Sequence, residues 1–271
     1  MFPKWNVDIG DLTFLYYYPG GDATLIVPEP SGRITSINEL NLEYIESASP
    51  ILAFSFEDTT KGPKHSMENV SLTAVACLLR YIYCSQHYVP DSCEDQTHSL
   101  LVHVEVYRLA VAYDMAALKD MAKGRIFFEL ELSVSNPEPP EDLCEALAYA
   151  YKHLPNEKHL TETLAQYCVT CYMTQKLNED KLFKTFHYEC RQFQRDLSTV
   201  LRNNRFEDES APILIQLPIK TPPTRFPLMH DADPLGGLAD EDWEERLQRR
   251  RAEITRLDKL RIHFRISLPY R

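Results

Sequence analysis

Long apolar runs are missing from this chain of 271 residues. No stretch approaches the roughly 20 apolar residues in a row that a membrane-spanning helix needs. The opening Met-Phe-Pro-Lys-Trp lacks the apolar core of a secretory leader. The 7 Cys form no even set and are scattered. Without a leader they read as reduced thiols of an intracellular protein, cytoplasmic or nuclear. The sequon Asn69-Val70-Ser71 is then a coincidence. Glycine is scarce, 8 residues against 18 Pro, and the chain holds no P-loop and no G-x-S-x-G elbow. Pro19-Gly20-Gly21-Asp22 leads into a strand-like run, so it is a turn rather than a phosphate cradle. Net positive charge is absent as well. At -11 the chain is a poor whole-molecule ligand for nucleic acid or anionic lipid.

What is present is periodicity. With 44% hydrophobic residues the composition is that of a globular protein with one or two domains. Residues 1–19 form an aromatic arm, with Phe14, Leu15, Tyr16, Tyr17 and Tyr18 expected to pack. Residues 22–27 predict a strand, and a weaker one follows around Ile34 to Leu42. Ser49-Pro50 fits a helix start carrying Ile51, Leu52, Phe54 and Phe56. Residues 57–65 read as a charged loop. Val75, Leu78, Leu79 and Ile82 then make a helical stripe.

The stretch from Leu100 to Ile126 organises the chain. Val106, Leu109, Ala110 and Tyr113 lie on one helical face, Asp114-Met115 interrupts, and Leu118, Met121 and Ala122 start a second face. Two short helices with single apolar faces need a partner surface. Beyond a Pro-rich connection at 133–140, three more amphipathic helices are expected. Leu143, Leu147, Ala150 and Leu154 mark the first, and Leu160, Leu164, Tyr167, Cys168 and Cys171 the second. The third runs through Leu182, Phe186, Cys190, Phe193, Leu197 and Leu201. Residues 204–238 are rich in Pro and acid and predict an extended or disordered linker. Residues 239–262 predict a charged helix, too short and too interrupted for a stable coiled coil.

Three pieces resemble a BTB/POZ domain, most closely the fungal BTB proteins. They are the strand Asp22-Ala23-Thr24-Leu25-Ile26-Val27, the helix end Cys77-Leu78-Leu79-Arg80-Tyr81-Ile82-Tyr83-Cys84, and His103-Val104-Glu105-Val106-Tyr107-Arg108-Leu109-Ala110 with Tyr113-Asp114-Met115 and Leu118-Lys119. The last matches in residue type and in spacing. The run that the family places after its first hairpin aligns at Leu40, Ile45, Ser49, Pro50 and Leu52, with Asn38 and Asn41 at the family's Phe and His positions. The segment from Ala148 to Cys168 resembles the extension that follows fungal BTB domains. The resemblance spans residues 20–203. It implies an α+β fold: a BTB/POZ-like small sheet with surrounding helices at 20–130, followed by an α-helical extension at 140–203.

The sharpest chemical pattern is Cys168-x-x-Cys171 followed, after 15 residues, by His187-x-x-Cys190. The spacing suits zinc. The same Cys residues lie on apolar stripes, where free Cys packs as a small hydrophobe, and core packing is the reading adopted here. No cofactor and no nucleophile are expected, and His103 reads as a packed or solvated residue rather than a ligand. The basic cluster Arg249, Arg250 and Arg251, with Arg246, Arg256, Lys259, Arg261 and Arg265, suits a nucleic-acid contact or an import signal. The acids Glu244, Glu245, Glu253 and Asp258 make a solvated helix face the preferred reading.

These patterns predict a protein–protein interaction module without catalytic activity. In the family that it resembles, the first helix and the sheet edge form an apolar dimer interface. That implies a homodimer or a docked protein partner, with Tyr16, Tyr17, Tyr18, Leu52, Phe54 and Phe56 as the contact residues. A narrower expectation is a substrate adaptor of a cullin-class ubiquitin ligase, although no substrate-reading repeat follows. A third is a transcription-linked protein whose tail helix contacts DNA.

Overall fold

The computed structural model describes residues 9–28, 32–84, 87–89, 99–208 and 210–214. The chain divides at Lys220, and every described residue belongs to the first unit. The charged helix at 239–262, the patch Arg249, Arg250 and Arg251, and the linker beyond 214 lie outside the described residues.

The described residues form an α+β fold with one open four-stranded sheet and ten α-helices. The strands are β1 (Ala23–Pro28), β2 (Ile34–Leu40), β3 (Glu57–Thr59) and β4 (Gly62–Ser66), in the order β2-β1-β4-β3. β1 alternates, with Ala23, Leu25 and Val27 buried, and it pairs antiparallel with β2 and parallel with β4. A parallel pair needs a crossover. Here it runs through β2, α1 (Leu42–Ala48), α2 (Pro50–Phe54) and β3.

Side chains start both crossover helices. Asn41 accepts a hydrogen bond from the Glu43 amide at 2.9 Å to cap α1, and Ser49 Oγ accepts from the Leu52 amide at 3.1 Å, with Pro50 at the first position of α2. Asn41 is thus used as a cap.

The expected loop at 57–65 is instead the hairpin of β3 and β4. All three β3 residues are exposed, so no apolar alternation announces the strand. Its turn is held by Thr59 Oγ donating to the Gly62 carbonyl at 2.6 Å. Gly62 has φ +96°, and a Cβ there would lie 2.4 Å from the Asp22 carbonyl oxygen. Gly62→Ala is therefore expected to cost about 1–3 kcal/mol from backbone strain alone, with the clash added. Urea denaturation measures it, and an unchanged midpoint would contradict this account of the hairpin.

α3 (Leu72–Cys84), α4 (Leu100–Ala112) and α5 (Ala116–Val134) share one hydrophobic core with the sheet. α4 is buried on nearly every side, including Leu100, His103, Val104, Glu105, Val106 and Tyr107. Buried Glu105 accepts from the Ser71 amide and hydroxyl, and Ser71 in turn caps the start of α3. Asp114, at φ +52°, makes the tight joint into α5.

The extension is α6 (Leu143–His153), α7 (Lys158–Cys171), α8 (Lys181–Glu189), α9 (Arg191–Asn203) and α10 (Ala211–Leu214). Four polar ties fix it to the preceding helices. Asp142 accepts from Ser99 Oγ at 2.6 Å and the Leu101 amide at 2.8 Å. The Tyr149 hydroxyl donates to the Asn69 carbonyl and accepts from Arg108. Glu157 accepts from the Tyr107 hydroxyl at 2.6 Å and Lys119 Nζ at 3.0 Å. Gln175 Nε2 donates to the Ser133 carbonyl.

The third predicted extension helix is two helices. Cys190 is extended, at φ -94° and ψ 94°, and breaks the run between α8 and α9. Gln194 Nε2 donates to the freed His187 carbonyl at 2.7 Å. Leu182, on the predicted stripe, is exposed, and Phe183 fills the core in its place. Where composition suggested linker, Ala211 and Leu214 of α10 are buried.

Candidate interaction surface

The aromatic arm is a short 3-10 helix, Thr13–Tyr17, strapped to α3. Arg80 of α3 is 5% exposed and donates to the Ile9 carbonyl at 2.9 Å and the Asp11 carbonyl at 2.7 Å. Its guanidinium lies 5.1 Å from the Phe14 ring centroid, a cation–π distance. Tyr18 meets Tyr44 of α1 and Tyr83 of α3 edge-on, and those two rings stack at 5.2 Å. Sequence patterning supplied the aromatics of this arm but not the buried cation that holds it.

With the arm fixed in this way, Tyr16 and Tyr17 are left 88% and 87% exposed. α1, against which Tyr18 packs, leads directly into α2. On α2, Phe54 is 92% and Ile51 48% exposed. Their i, i+3 spacing puts them on one face. Leu52 does not belong to that surface: it is buried in the core, one residue out of phase with Ile51. Phe56 is half-buried, tilted against the His65 ring at 5.5 Å. Tyr16 and Tyr17 on the arm and Ile51 and Phe54 on α2 are thus outward, whereas Tyr18, Leu52 and Phe56 pack inward. Ile51 is an outward residue that the sequence expectation left out, and its i+3 relation to Phe54 was the available signal.

The zinc pattern does not assemble. Among the described residues no group of three or more His, Cys, Asp or Glu is placed to hold a metal. Cys168 and Cys171 are buried, and burial raises both thiols above their ordinary range. Burial and then Asp180 push Cys144 up to about 12.

A second polar group lies inside the helices. The Tyr88 hydroxyl is 2.9 Å from His103 Nδ1, and His103 Nε2 is 3.8 Å from Glu129 Oε1. All three side chains are buried. His103 is a packed residue, not a solvated one. A cavity of about 280 Å³ beside it is lined by His87, Tyr88, Met121, Arg125 and Phe128 among others.

No described helix is long and apolar enough to cross a membrane. Comparison with protein-family models and with curated proteins finds no match to the chain.

Proposed function

We propose that this chain is a non-catalytic protein–protein interaction module of BTB/POZ type that self-associates through the arm and α2. The observation that carries the reading is the 92% exposure of Phe54, with Ile51 beside it, on a helix whose other side is locked in the core. A contiguous exposed apolar patch is where a protein partner docks. Covering a side chain of this size stabilises by about 1.5–3 kcal/mol, and a two-fold pairing uses each one twice. The sequence resemblance to BTB/POZ segments, with its apolar first-helix interface, points the same way. The polar ties of Asp142, Tyr149 and Glu157 hold the helical extension to Leu101, Asn69 and Tyr107.

Sedimentation of the full chain tests the proposal. A dimer is expected at micromolar concentration. Ile51→Asp with Phe54→Asp is expected to give a folded monomer, because both side chains are outward. A wild-type chain that stays monomeric at the highest soluble concentration would sink the reading.

A further inference from the structure

The cavity of about 280 Å³ beside α5 shares no described lining residue with the arm or α2. One of its walls is a single face of α5, where Met121, Gly124, Arg125 and Phe128 stand at i, i+3, i+4 and i+7. The other wall is the segment 87–89, in which Tyr88 and Val89 are each 2% exposed. Tyr88 is fixed from behind. Its hydroxyl lies 2.9 Å from His103 Nδ1, and the two rings meet edge-on at 5.7 Å. That wall is therefore formed before any ligand arrives, as is usual for ligand sites.

Gly124 is the residue that packing does not explain. It lies in the middle of a 19-residue helix, where only proline is less favourable than glycine. Neither common reason for a glycine applies. Its φ is not positive, and a Cβ built on it would meet nothing within 4 Å. No neighbouring group of the protein needs the room that the missing side chain leaves. That room belongs to the cavity, and it bares the α5 backbone to whatever enters.

The lining sets the chemistry of an occupant. Met121 and the rings of Tyr88 and Phe128 suit a flat apolar group. Arg125 brings a planar fork of five N–H donors, the match for a carboxylate. Its guanidinium lies 5.8 Å from the Phe128 ring centroid, so the cation and the aromatic wall adjoin. No carboxylate is among the described lining residues. Glu129, one turn beyond Arg125, is buried with Oε1 3.8 Å from His103 Nε2. The volume is at the small end of ligand sites, which run from about 300 to 1,000 Å³. It fits one ring or a fused pair, not a nucleotide.

We propose that this cavity is a binding site for a small aromatic carboxylate, with its ring against Tyr88, Met121 and Phe128 and its carboxylate on the Arg125 fork. The proposal goes beyond the self-association reading and does not depend on it.

Titration of the isotope-labelled full chain with 2-naphthoate, followed by amide NMR, tests the site. Saturable binding with a Kd of about 1 mM or tighter is expected, with the largest shifts at residues 87–89 and 121–128. The neutral 2-naphthamide should bind at least about tenfold more weakly, because it lacks the charge that Arg125 recognises. Gly124→Leu should abolish binding by filling the cavity, and its urea midpoint should match or exceed that of the wild type. Arg125→Gln should bring naphthoate down to the affinity of the amide. Absence of saturable shifts at these residues, equal affinity of the wild type for the acid and the amide, or undiminished binding by Gly124→Leu would each overturn the assignment. The acid–amide comparison uses the wild-type chain alone, so it decides the matter even if a variant fails to fold.

Discussion

Phe193→Ala is expected to destabilise the protein by about 3–5 kcal/mol, the range for removing a buried aromatic side chain. Phe193 is fully buried, and its ring is the hub of the extension. It meets Tyr151 at 5.4 Å, Phe183 at 5.8 Å, Phe186 at 5.0 Å and His187 at 6.1 Å. Those partners come from α6 and α8, so a single side chain on α9 joins three helices. The neighbours are large and rigid, and two of them are themselves tethered. Tyr151 donates to Asp196 at 2.8 Å, and Phe183 lies in the first turn of α8, whose start is capped by Asp180. The site therefore collapses poorly around the deletion, which favours the upper half of the range. Chemical denaturation followed by far-ultraviolet circular dichroism measures the loss. A change below about 1 kcal/mol would mean that α8 and α9 are held by something other than this aromatic cluster.

The helices were legible because burial and sequence periodicity coincide in them. Val75, Leu78, Leu79 and Ile82 of α3 are all buried, as are Leu118 and Ala122 of α5. Legibility failed where backbone geometry or a single phase shift decides. β3 has no buried residue, so its strand is made by pairing with β4 and by Gly62, not by pattern. α8 and α9 look continuous because Leu182, Phe186 and Cys190 keep helical spacing. The break appears only in the dihedral angles of Cys190, and Phe183 rather than Leu182 points inward. On α2 the same one-residue offset places Leu52 inside and Phe54 outside. A five-residue helix is too short for periodicity to fix its phase. The surface was thus half readable: its aromatic residues are evident in the sequence, while which of them faces outward depends on Arg80 and on Ser49, whose Oγ donates to the Tyr113 carbonyl at the α4–α5 joint at 2.7 Å. Those are long-range contacts, and no local pattern encodes them.

Arg80→Met is expected to free the arm at a loss of about 3–6 kcal/mol, since a hydrogen bond from a charged donor contributes about 1.5–3 kcal/mol and two are removed. The substitution keeps an unbranched, apolar stem of similar length in the same slot, so no large cavity forms. What disappears is the fork that reaches both the Ile9 and Asp11 carbonyls. The cation over the Phe14 ring goes with it. The arm then retains mainly its aromatic contacts with Tyr44 and Tyr83. Amide exchange at residues 9–18 should accelerate far more than exchange in α3 itself, and proteolysis should move into the arm. Arg80→Lys separates charge from geometry. A single ammonium cannot reproduce the two-pronged contact, so it should restore only part of the protection. Because Tyr16 and Tyr17 are carried on the arm, the dimer of Arg80→Met should weaken even though the Ile51 and Phe54 face is untouched. Unchanged arm protection in Arg80→Met would show that the aromatic rings alone hold the arm. A loosened arm with undiminished association would instead confine the docking surface to α2.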